Sequence, residues 1–465
     1  MTFPLGGAKI AVMRKILAFT CTALWWALCG VADLGAQNLT IVNARIIDGN
    51  GGVIPQGSIV VRDGRITSVS QGAPQGAPGA GRRIDAKGMT VMPGFIDDHR
   101  HIIAGAFPGP NPDQWMKDEA VPRMQEFLDA GFTTVQSCGD PVSQIVELQK
   151  RLNAGQIKGP HLYTAAFVQL SRPPGGRGGG PLTVDPARID NSRPPHRPTQ
   201  AALEIPENEV RAEVRKLKAA GIDDVKTVIA VTPGGPEART LAIVVDEAKK
   251  VGMPVFTHAV AVDDMFAAIG AGVSALAHTP HIGQLDEAGA RRAAASGIPM
   301  MSTLGVFAPT FAEDNQRIRT RTGVDNMPRF RDLDPFPFDT LSSAGQGPVN
   351  ARLLWEAGMV YGYGTDTTFL PADSLVQELK ALRLVFSRKD MVQIMTRNAA
   401  AVIGRGKEIG TLEAGKQADI VMLDGDPLEN IDNVLKVRMV VKSGNVVVDR
   451  RAAAARGKGK AATAQ

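Results

Sequence analysis

The strongest constraint on the fold is a repeated alternation of short apolar segments with helical patterns through the middle of the chain. Eight segments are typical of strands: GFIDDHRH (94–101), FTTVQSC (132–138), HLYTAAFV (161–168), DVKTVIAV (224–231), MPVFTHA (253–259), VSALAHT (273–279), IPMMSTL (298–304) and MVYGYGTD (359–366). Helical patterns such as EVRAEVRKLKAAG (209–221) lie between most of them. Eight strands with intervening helices predict an α/β protein with a (β/α)8 TIM barrel, in which chemistry lies at the carboxyl ends of the strands.

Two β-rich segments flank this region. Residues 37–92 and 405–449 contain short runs of apolar residues between Gly- and Asn-containing turns. They predict a small β-sandwich built from both chain ends, with the barrel, residues 93–404, inserted between its halves. The chain has 465 residues and 44% hydrophobic content, which is enough for a barrel core and a smaller companion.

Two of the connections between predicted strands are long. Residues 169–206 follow the third strand and residues 305–349 follow the seventh. We expect both to be loops over the mouth of the barrel. The first contains SRPPGGRGGGP, for which a disordered insertion is an alternative interpretation.

The amino terminus has the pattern of a secretory signal. From Met13 it reads MRKILAFTCTALWWALCGVADLGA, with two basic residues, an apolar run and then small residues, so residues 1–36 are predicted to be a signal peptide. The alternative is an uncleaved membrane anchor. Cleavage would give an exported protein, periplasmic or secreted, without stable membrane insertion. It would leave Cys138 as the remaining cysteine of three, which excludes an internal disulfide.

The charge distribution does not indicate a nucleic-acid partner. The formal net charge is +5, but residues 450–465 alone hold five basic residues. Without this tail and the signal peptide the folded body is close to neutral, so we expect no nucleic-acid binding. The basic tail itself is predicted to be disordered and solvated.

Six polar residues lie on or at the carboxyl ends of predicted strands: His99, His101, Lys226, His258, His278 and Asp366. In a (β/α)8 barrel these ends converge, so the six side chains should meet at one mouth. A single histidine at such a place is more often structural, but an ordered set with a carboxylate is better explained by a metal centre. Imidazole and carboxylate suit a borderline cation such as Zn²⁺.

These segments resemble the signatures of the metal-dependent amidohydrolase superfamily over nearly the whole predicted mature chain. PGFIDDHRH is similar to the family's strand-one pattern PGFID-x-H-x-H, and GIDDVKTVIAVTPGG to the strand-four segment that carries a lysine. VFTHA, ALAHT and GTD resemble the signatures of strands five, six and eight, and TLEAGKQADIVMLD resembles part of the composite sandwich. Within the superfamily the chain is most similar to the imidazolonepropionase-like and prolidase-like group.

The resemblance implies two metal ions, with zinc expected, and a carbamate on Lys226. A free ammonium has no lone pair, whereas a carbamate has two oxygens and can bridge two cations. The other ligands would be His99, His101 and Asp366 at one ion, and His258 and His278 at the other. Asp366 would also accept the proton of the nucleophilic water and pass it to the leaving amine.

The resemblance therefore implies a binuclear hydrolase that cleaves an amide bond in a peptide or N-acyl amino acid, with a free carboxylate as a candidate feature of the substrate. Lys226 favours hydrolysis over deamination, because single-metal deaminases of the superfamily generally lack the bridging lysine. The alternative is that Lys226 faces a helix and forms a surface ion pair. Lactone, ester or cyclic-amide hydrolysis and a non-catalytic, ligand-binding barrel remain open, and a homo-oligomer is compatible with the resemblance.

Candidate substrate-binding residues are His281, which follows His278 by three positions, and Arg177 and His196 in the first long loop. That loop departs from the usual pattern of the prolidase-like group, so a preference for dipeptides does not carry over. His161, which begins the third strand, is predicted to be structural. Asp140, just after the second strand, is predicted to neighbour the site.

Asp98 and Arg100 are unusual in this setting, because the family usually has small or apolar residues at these two positions. Residues two apart on a strand share a face, so this pair would lie opposite His99 and His101. An unpaired buried charge is costly. We therefore predict an ion pair between Asp98 and Arg100 behind the metal site.

Overall fold

The computed structural model describes residues 38–75, 81–103, 111–172, 202–307 and 340–451. The predicted signal peptide and all but two residues of the predicted tail lie outside these ranges. None of the described helices combines the length and the apolar character that a membrane crossing requires. The described strands form two sheets.

The chain passes from one sheet to the other and back. The first strands are β1 (Leu39–Ile47), β2 (Val53–Arg62), β3 (Arg65–Gln71), β4 (Arg82–Asp85) and β5 (Thr90–Pro93). Next come β6 (Phe95–Arg100), β7 (Phe132–Cys138), β8 (His161–Phe167), β9 (Asp224–Val228), β10 (Val255–His258), β11 (Ala275–Ala277), β12 (Met300–Met301) and β13 (Tyr361–Gly362). The last are β14 (Ile420–Leu423), β15 (Val437–Lys442) and β16 (Asn445–Asp449).

Strands β6 to β13 form a parallel sheet in which each strand pairs with the next one along the chain. Each lies within one of the predicted apolar segments, although β12 and β13 are only two residues long. Backbone hydrogen bonds from Asp98 N to Tyr363 O (2.8 Å) and from Thr365 N to His99 O (3.1 Å) bring the two edges together. The predicted (β/α)8 barrel is therefore confirmed for the described residues.

Helices lie between the barrel strands. Their bounds are Pro112–Trp115, Val121–Asp129, Val142–Asn153, Glu207–Ala220, Glu237–Lys250, Val262–Ala271, Glu287–Ala294, Leu304–Phe307, Thr340–Glu356, Pro371–Leu382, Arg388–Gln393 and Ala399–Val402. Single π-helical turns span Met116–Ala120 and Ile394–Asn398, and a 3-10 turn spans Ile431–Leu435.

The helix that follows β8 buries Val210, Val214 and Leu217, a spacing that forms one apolar stripe. It ends at Gly221, whose φ of +90° requires a residue without a Cβ.

Strands from both chain ends build the second sheet, which we call the terminal sheet. Its order is β16-β15-β14-β5-β1-β2-β3, and β4 pairs with the first half of β1. The two chain ends meet where β5 and β14 run antiparallel, with Val91 opposite Met422. Side chains such as Ile41, Ile59 and Met439 form an apolar core separate from that of the barrel. The prediction that both ends build one β unit is confirmed, and its described strands are joined in one continuous sheet.

The terminal sheet contacts the amino-terminal end of the barrel strands. His161, the first residue of β8, places Nε2 3.3 Å from Asp419 Oδ2 and 3.3 Å from Ser443 Oγ. Nearby, Lys442 Nζ donates to the carbonyl of Gly159 at 2.7 Å. His161 therefore links the two sheets at the end of the barrel opposite the predicted mouth, as expected for a structural residue.

A buried aromatic cluster stabilises the region where the barrel closes. The Phe132 ring, at the start of β7, lies 5.8 Å from Phe95, 6.2 Å from Phe127 and 5.7 Å from Tyr363, measured between centroids. All four side chains are almost completely buried. The cluster thus joins the first, second and eighth strands of the barrel to one of its helices.

We expect Phe132→Ala to lower the free energy of unfolding by about 3–5 kcal/mol, because it leaves a cavity between three strands. Leu384→Ala is the control, since Leu384 is 68% exposed and its truncation should change stability by at most about 0.5 kcal/mol. Urea denaturation of both variants measures the difference. Equal midpoints for the two variants would contradict a packing role for this cluster.

Candidate metal centre

Two histidines from the first barrel strand face a carboxylate from the end of the eighth. Asp366 Oδ1 lies 3.2 Å from His99 Nε2 and 3.0 Å from His101 Nε2. The backbone N–H of Asp366 also donates to the carbonyl of His99 at 2.8 Å. The backbone contact between the two strands therefore determines how close the three side chains come.

The other predicted ligands face the same space. Lys226, in β9, is 2% exposed, and its Nζ lies 3.4 Å from His99 Nε2. The ring of His278 lies 4.7 Å from that of His99 and 4.4 Å from that of His258. Lys226 is thus inside the barrel, and its interpretation as a surface residue facing a helix is wrong. The structure brings all six predicted residues together at the carboxyl ends of the strands.

Burial controls the protonation of the histidines. Loss of contact with water, followed by the charge of Lys226, lowers the pKa of His99 to about 4 and that of His258 to about 3. Burial, with His258 next, also moves the pKa of His278 well below its ordinary value. These imidazoles are therefore neutral near pH 7, which is the form that binds metal ions.

Asp366 is held as a carboxylate. Burial alone would raise its pKa, but its contacts with His99 and His101 outweigh that effect, and the pKa lies well below its usual range. The side chains of Asp366 and His101 are 16% and 22% exposed, more than those of the other histidines in contact with them. Together with His258, they are the members of the group of six that are not fully buried.

The donor set fits a divalent cation. Within the described part of the chain, one ligand atom each from His99, His101 and Asp366 lies within 4.8 Å of the others. Neutral imidazole and carboxylate are ligands that zinc and similar metals accept. Lys226 can join them only if its nitrogen loses the positive charge, and burial lowers the pKa of this amine.

The backbone is strained where three barrel strands end at this site. The φ angle is +85° at His278, +41° at Thr303 and +51° at Asp366. Residues with a Cβ rarely adopt such values, and they persist where surrounding contacts hold them, often at functional sites. Backbone strain is thus a second, independent mark of this end of the barrel.

Thr303 orients one of the histidines. Its Oγ1 lies 2.8 Å from His278 Nδ1, which leaves the other ring nitrogen for a ligand. Glu378 in turn fixes the Thr303 turn, because its carboxylate accepts hydrogen bonds from Leu304 N (3.0 Å) and Gly305 N (2.6 Å). Sequence reasoning missed both residues, and only their position after the seventh and eighth strands could have suggested them.

Asp140 supports the chain directly after His101. Its carboxylate accepts hydrogen bonds from Ile102 N (2.9 Å), Ile103 N (3.0 Å) and Ser137 Oγ (2.7 Å). His101 Nδ1 lies 4.0 Å from Asp140 Oδ1. The predicted proximity of Asp140 to the site is confirmed, and its contacts show that it anchors the end of β6.

Of the three candidate substrate-binding residues, the structure describes one. His281 lies near the end of β10, because its backbone N–H donates to the carbonyl of Val260, two residues after His258, at 2.9 Å. Burial lowers the pKa of His281 itself to about 4. Arg177 and His196 lie outside the described residues, so their predicted contact with substrate stays a prediction.

The predicted ion pair between Asp98 and Arg100 is wrong. Strand β6 shifts its register against β7 between Asp97 and Arg100, so the strict alternation of faces fails there. Arg100 Nη1 lies 3.8 Å from Asp97 Oδ2 instead. Neither carboxylate oxygen of Asp98 has a hydrogen-bond partner among the described residues, and burial raises its pKa well above the usual range. The Asp98 side chain occupies the space left by Gly362 and Gly364, where a Cβ would lie 2.0 and 2.6 Å from its oxygens.

Comparison with known proteins identifies the family. The amidohydrolase family matches residues 90–447, and the chain therefore belongs to this family. Imidazolonepropionase from Thermoanaerobacter pseudethanolicus (strain ATCC 33223 / 39E) is 25% identical over 431 residues, which cover 83% of this chain and 88% of that protein. Imidazolonepropionase from Symbiobacterium thermophilum (strain DSM 24528 / JCM 14929 / IAM 14863 / T) is 27% identical over 441 residues, which cover 85% and 91%.

Solved structures share the fold. A putative prolidase from Bifidobacterium longum superposes with a TM-score of 0.67 at 23% identity, covering 92% of this chain and 100% of that one. Together with the family match, the fold defines a hydrolase that acts on C–N bonds, in a family that is generally metal-dependent. The group of His99, His101 and Asp366 agrees with that class.

We expect Thr303→Val to weaken metal binding by about 10–100-fold, because it removes the hydroxyl next to His278 Nδ1 while keeping the volume of the side chain. Thr227→Val is a matched control, since Thr227 is also completely buried but contacts the carbonyl of Phe256 rather than a histidine. Competition of each variant with a zinc chelator measures the affinity. Identical affinities for both variants would refute an orienting role for Thr303.

Proposed function

We propose that the protein is a binuclear metal-dependent hydrolase that cleaves an amide bond of a small molecule with a metal-activated water, and that a carbamate on Lys226 would help to hold the metal ions. The observation that carries the proposal is the position of Lys226, buried inside the barrel with Nζ 3.4 Å from His99 Nε2. A buried ammonium beside a histidine is costly, whereas a neutral amine with a lowered pKa can react with carbon dioxide. The resulting carbamate would be an anionic ligand at the centre of the site.

The lysine is within reach of both groups of histidines. On one side His99 is its neighbour, and His99, His101 and Asp366 offer ligand atoms that lie within 4.8 Å of one another. On the other side β9 pairs with β10, the strand that ends at His258, whose ring centroid lies 4.4 Å from that of His278. This arrangement supports one ion held with the first group, a second held with the other, and Lys226 shared between them.

Divalent ions held by these residues would supply a water that is nucleophilic near neutral pH and a positive charge for the scissile carbonyl. Asp366 would accept the proton of that water at a carboxylate oxygen and then transfer it to the leaving nitrogen. The low pKa of Asp366 keeps its side chain in the carboxylate form, which is the form that can hold a metal ion. Because Asp366, His101 and His258 are the partly exposed members of the group, a substrate entering the barrel would meet them first.

The first candidate substrate is a peptide or an N-acyl amino acid. A free carboxylate on this substrate is the feature that we expect the site to recognise. The fold shared with a putative prolidase and the family's action on C–N bonds support an amide. A cyclic amide is the second candidate. It is favoured by the relatives matched along most of the chain, which are imidazolonepropionases, a name that specifies an imidazolone ring bearing an acid.

A panel of N-acyl amino acids, dipeptides, cyclic amides and lactones separates these substrate classes. We expect turnover of at least one amide class by the protein reconstituted with Zn²⁺ and bicarbonate, and weaker turnover after chelation. Chromatography measures the turnover by detecting the free amine or the opened ring. Activity on lactones alone would exclude the amide assignment, and a fully loaded protein without activity on any class would favour a ligand-binding barrel.

We expect Lys226→Ala to bind about one metal ion per chain instead of about two, and to lose at least about 100-fold in kcat. Lys442→Ala is the control, because this partly buried lysine binds the carbonyl of Gly159 at the other end of the barrel. Elemental analysis counts the metal, and ¹³C NMR after addition of labelled bicarbonate detects the carbamate carbon. A Lys226→Ala protein with two ions and full activity would remove the carbamate from the proposal.

A further inference from the structure

The backbone conformation of the segment that carries Asp366 depends on contacts with other parts of the barrel. Asp366 has a φ of +51°, which places a residue with a Cβ in the left-handed region. Such a conformation is unfavourable and persists only when neighbouring contacts hold it. The contacts that hold residues 365–369 therefore decide whether the carboxylate stays opposite His99 and His101.

Arg100 makes contacts on both sides of Asp366. Its Nη1 donates to Thr365 Oγ1 at 3.0 Å and to Thr367 Oγ1 at 2.9 Å, and its Nη2 donates to the carbonyl of Phe369. The guanidinium is 1% exposed. A single planar group thus holds three points of a five-residue segment, with Asp366 between the first two.

The acceptors of Arg100 are held in turn. Thr365 Oγ1 accepts from Arg100 and donates to Asp97 Oδ2 at 2.8 Å, while Thr365 N donates to Asp97 Oδ1 at 3.2 Å. The same Asp97 oxygen accepts from His99 N at 3.2 Å. Asp97 therefore connects the backbone of a predicted metal ligand to the segment that Arg100 holds.

A second buried arginine completes the support. Arg123 Nη1 donates to the carbonyl of Thr368, and its guanidinium lies 5.2 Å from the ring centroid of Trp115. Arg100 lies in a similar way over the ring of Phe127, at 5.1 Å. Aromatic faces attract a guanidinium and partly offset the hydration that it loses on burial. Contacts with aromatic side chains of two helices thus explain how the two guanidinium groups remain buried behind the barrel strands.

We propose that Arg100 is a positioning residue for Asp366. It holds residues 365–369 so that the Asp366 carboxylate faces His99 and His101, although Arg100 itself lies behind the strand and contacts no predicted metal ligand through its side chain among the described residues. A lysine could not replace it, because one ammonium cannot reach both hydroxyls and the Phe369 carbonyl in the fixed geometry of a guanidinium. The proposal rests on the role proposed above for Asp366.

Three variants test the proposal: Arg100→Met, which keeps the length of the side chain, Thr367→Val, which removes one acceptor, and the double variant. We expect Arg100→Met to lower kcat by about 100-fold, the effect of a misplaced catalytic group, with KM within about threefold. The double variant should lose no more than Arg100→Met alone, because both changes break the same contact. Multiplied losses in the double variant would overturn the proposed path through Thr367.

Hydrogen exchange followed by mass spectrometry gives a readout that does not depend on activity. Amides of residues 365–369 should exchange faster in Arg100→Met, whereas a destabilised control, Ile59→Ala in the core of the terminal sheet, should keep both kcat and the exchange of this segment. Ile59 is completely buried far from these contacts. Unchanged exchange at 365–369 in Arg100→Met, or an equal loss of kcat in Ile59→Ala, would show that Arg100 is merely structural.

Asp366→Asn separates failure of this proposal from failure of the proposed function. If Asp366→Asn retains kcat, the proposed role of Asp366 is wrong, and faster exchange of residues 365–369 in Arg100→Met would still establish the contact. If Asp366→Asn loses kcat by at least about 100-fold while Arg100→Met keeps it, the proposed function stands and the positioning role of Arg100 is refuted.

Discussion

The site depends on the hydrogen bonds that join the first and last strands of the barrel. The N–H groups of Asp98, Thr365 and Asp366 cross this contact, and they set His99 and His101 opposite the Asp366 carboxylate. No shorter part of the chain can produce that arrangement, because the partners belong to the two ends of the barrel sequence. The metal ligands are therefore assembled by barrel closure rather than by any local motif.

Barrel closure also brings buried carboxyl groups and strained backbone angles close together. Burial raises the pKa of Asp97 to about 6 and that of Glu378 to about 7, and it raises the pKa of Asp98 well above the usual range. The ends of the later strands add positive φ angles. Natural proteins tolerate such local violations at functional sites when the rest of the fold compensates. Here the compensation comes from apolar contacts, including the aromatic cluster around Phe132.

The sequence allowed the barrel and the six converging residues to be predicted because both depend on short-range patterns. Apolar runs mark each strand, and the strand ends of a barrel must converge. The partner of Arg100 was not predictable in the same way, since a register shift in β6 breaks the alternation on which the prediction relied. The roles of Thr303 and Glu378 were not predictable for a different reason: Glu378 reaches the backbone after Thr303 only because the helix Pro371–Leu382 passes the end of β12.

The pairing of β5 with β14 has a consequence for how the chain is made. Val91 finds its partner Met422 only after nearly the whole chain is available, so a nascent chain holds β5 without this neighbour. Long-range pairings of this kind form slowly, and an unpaired apolar strand edge invites association with other chains. The terminal sheet therefore completes its pairing only once β14 has been made. A chain that stops before β14 would lose the fold of its beginning as well as its end, and would be a target for quality-control proteases.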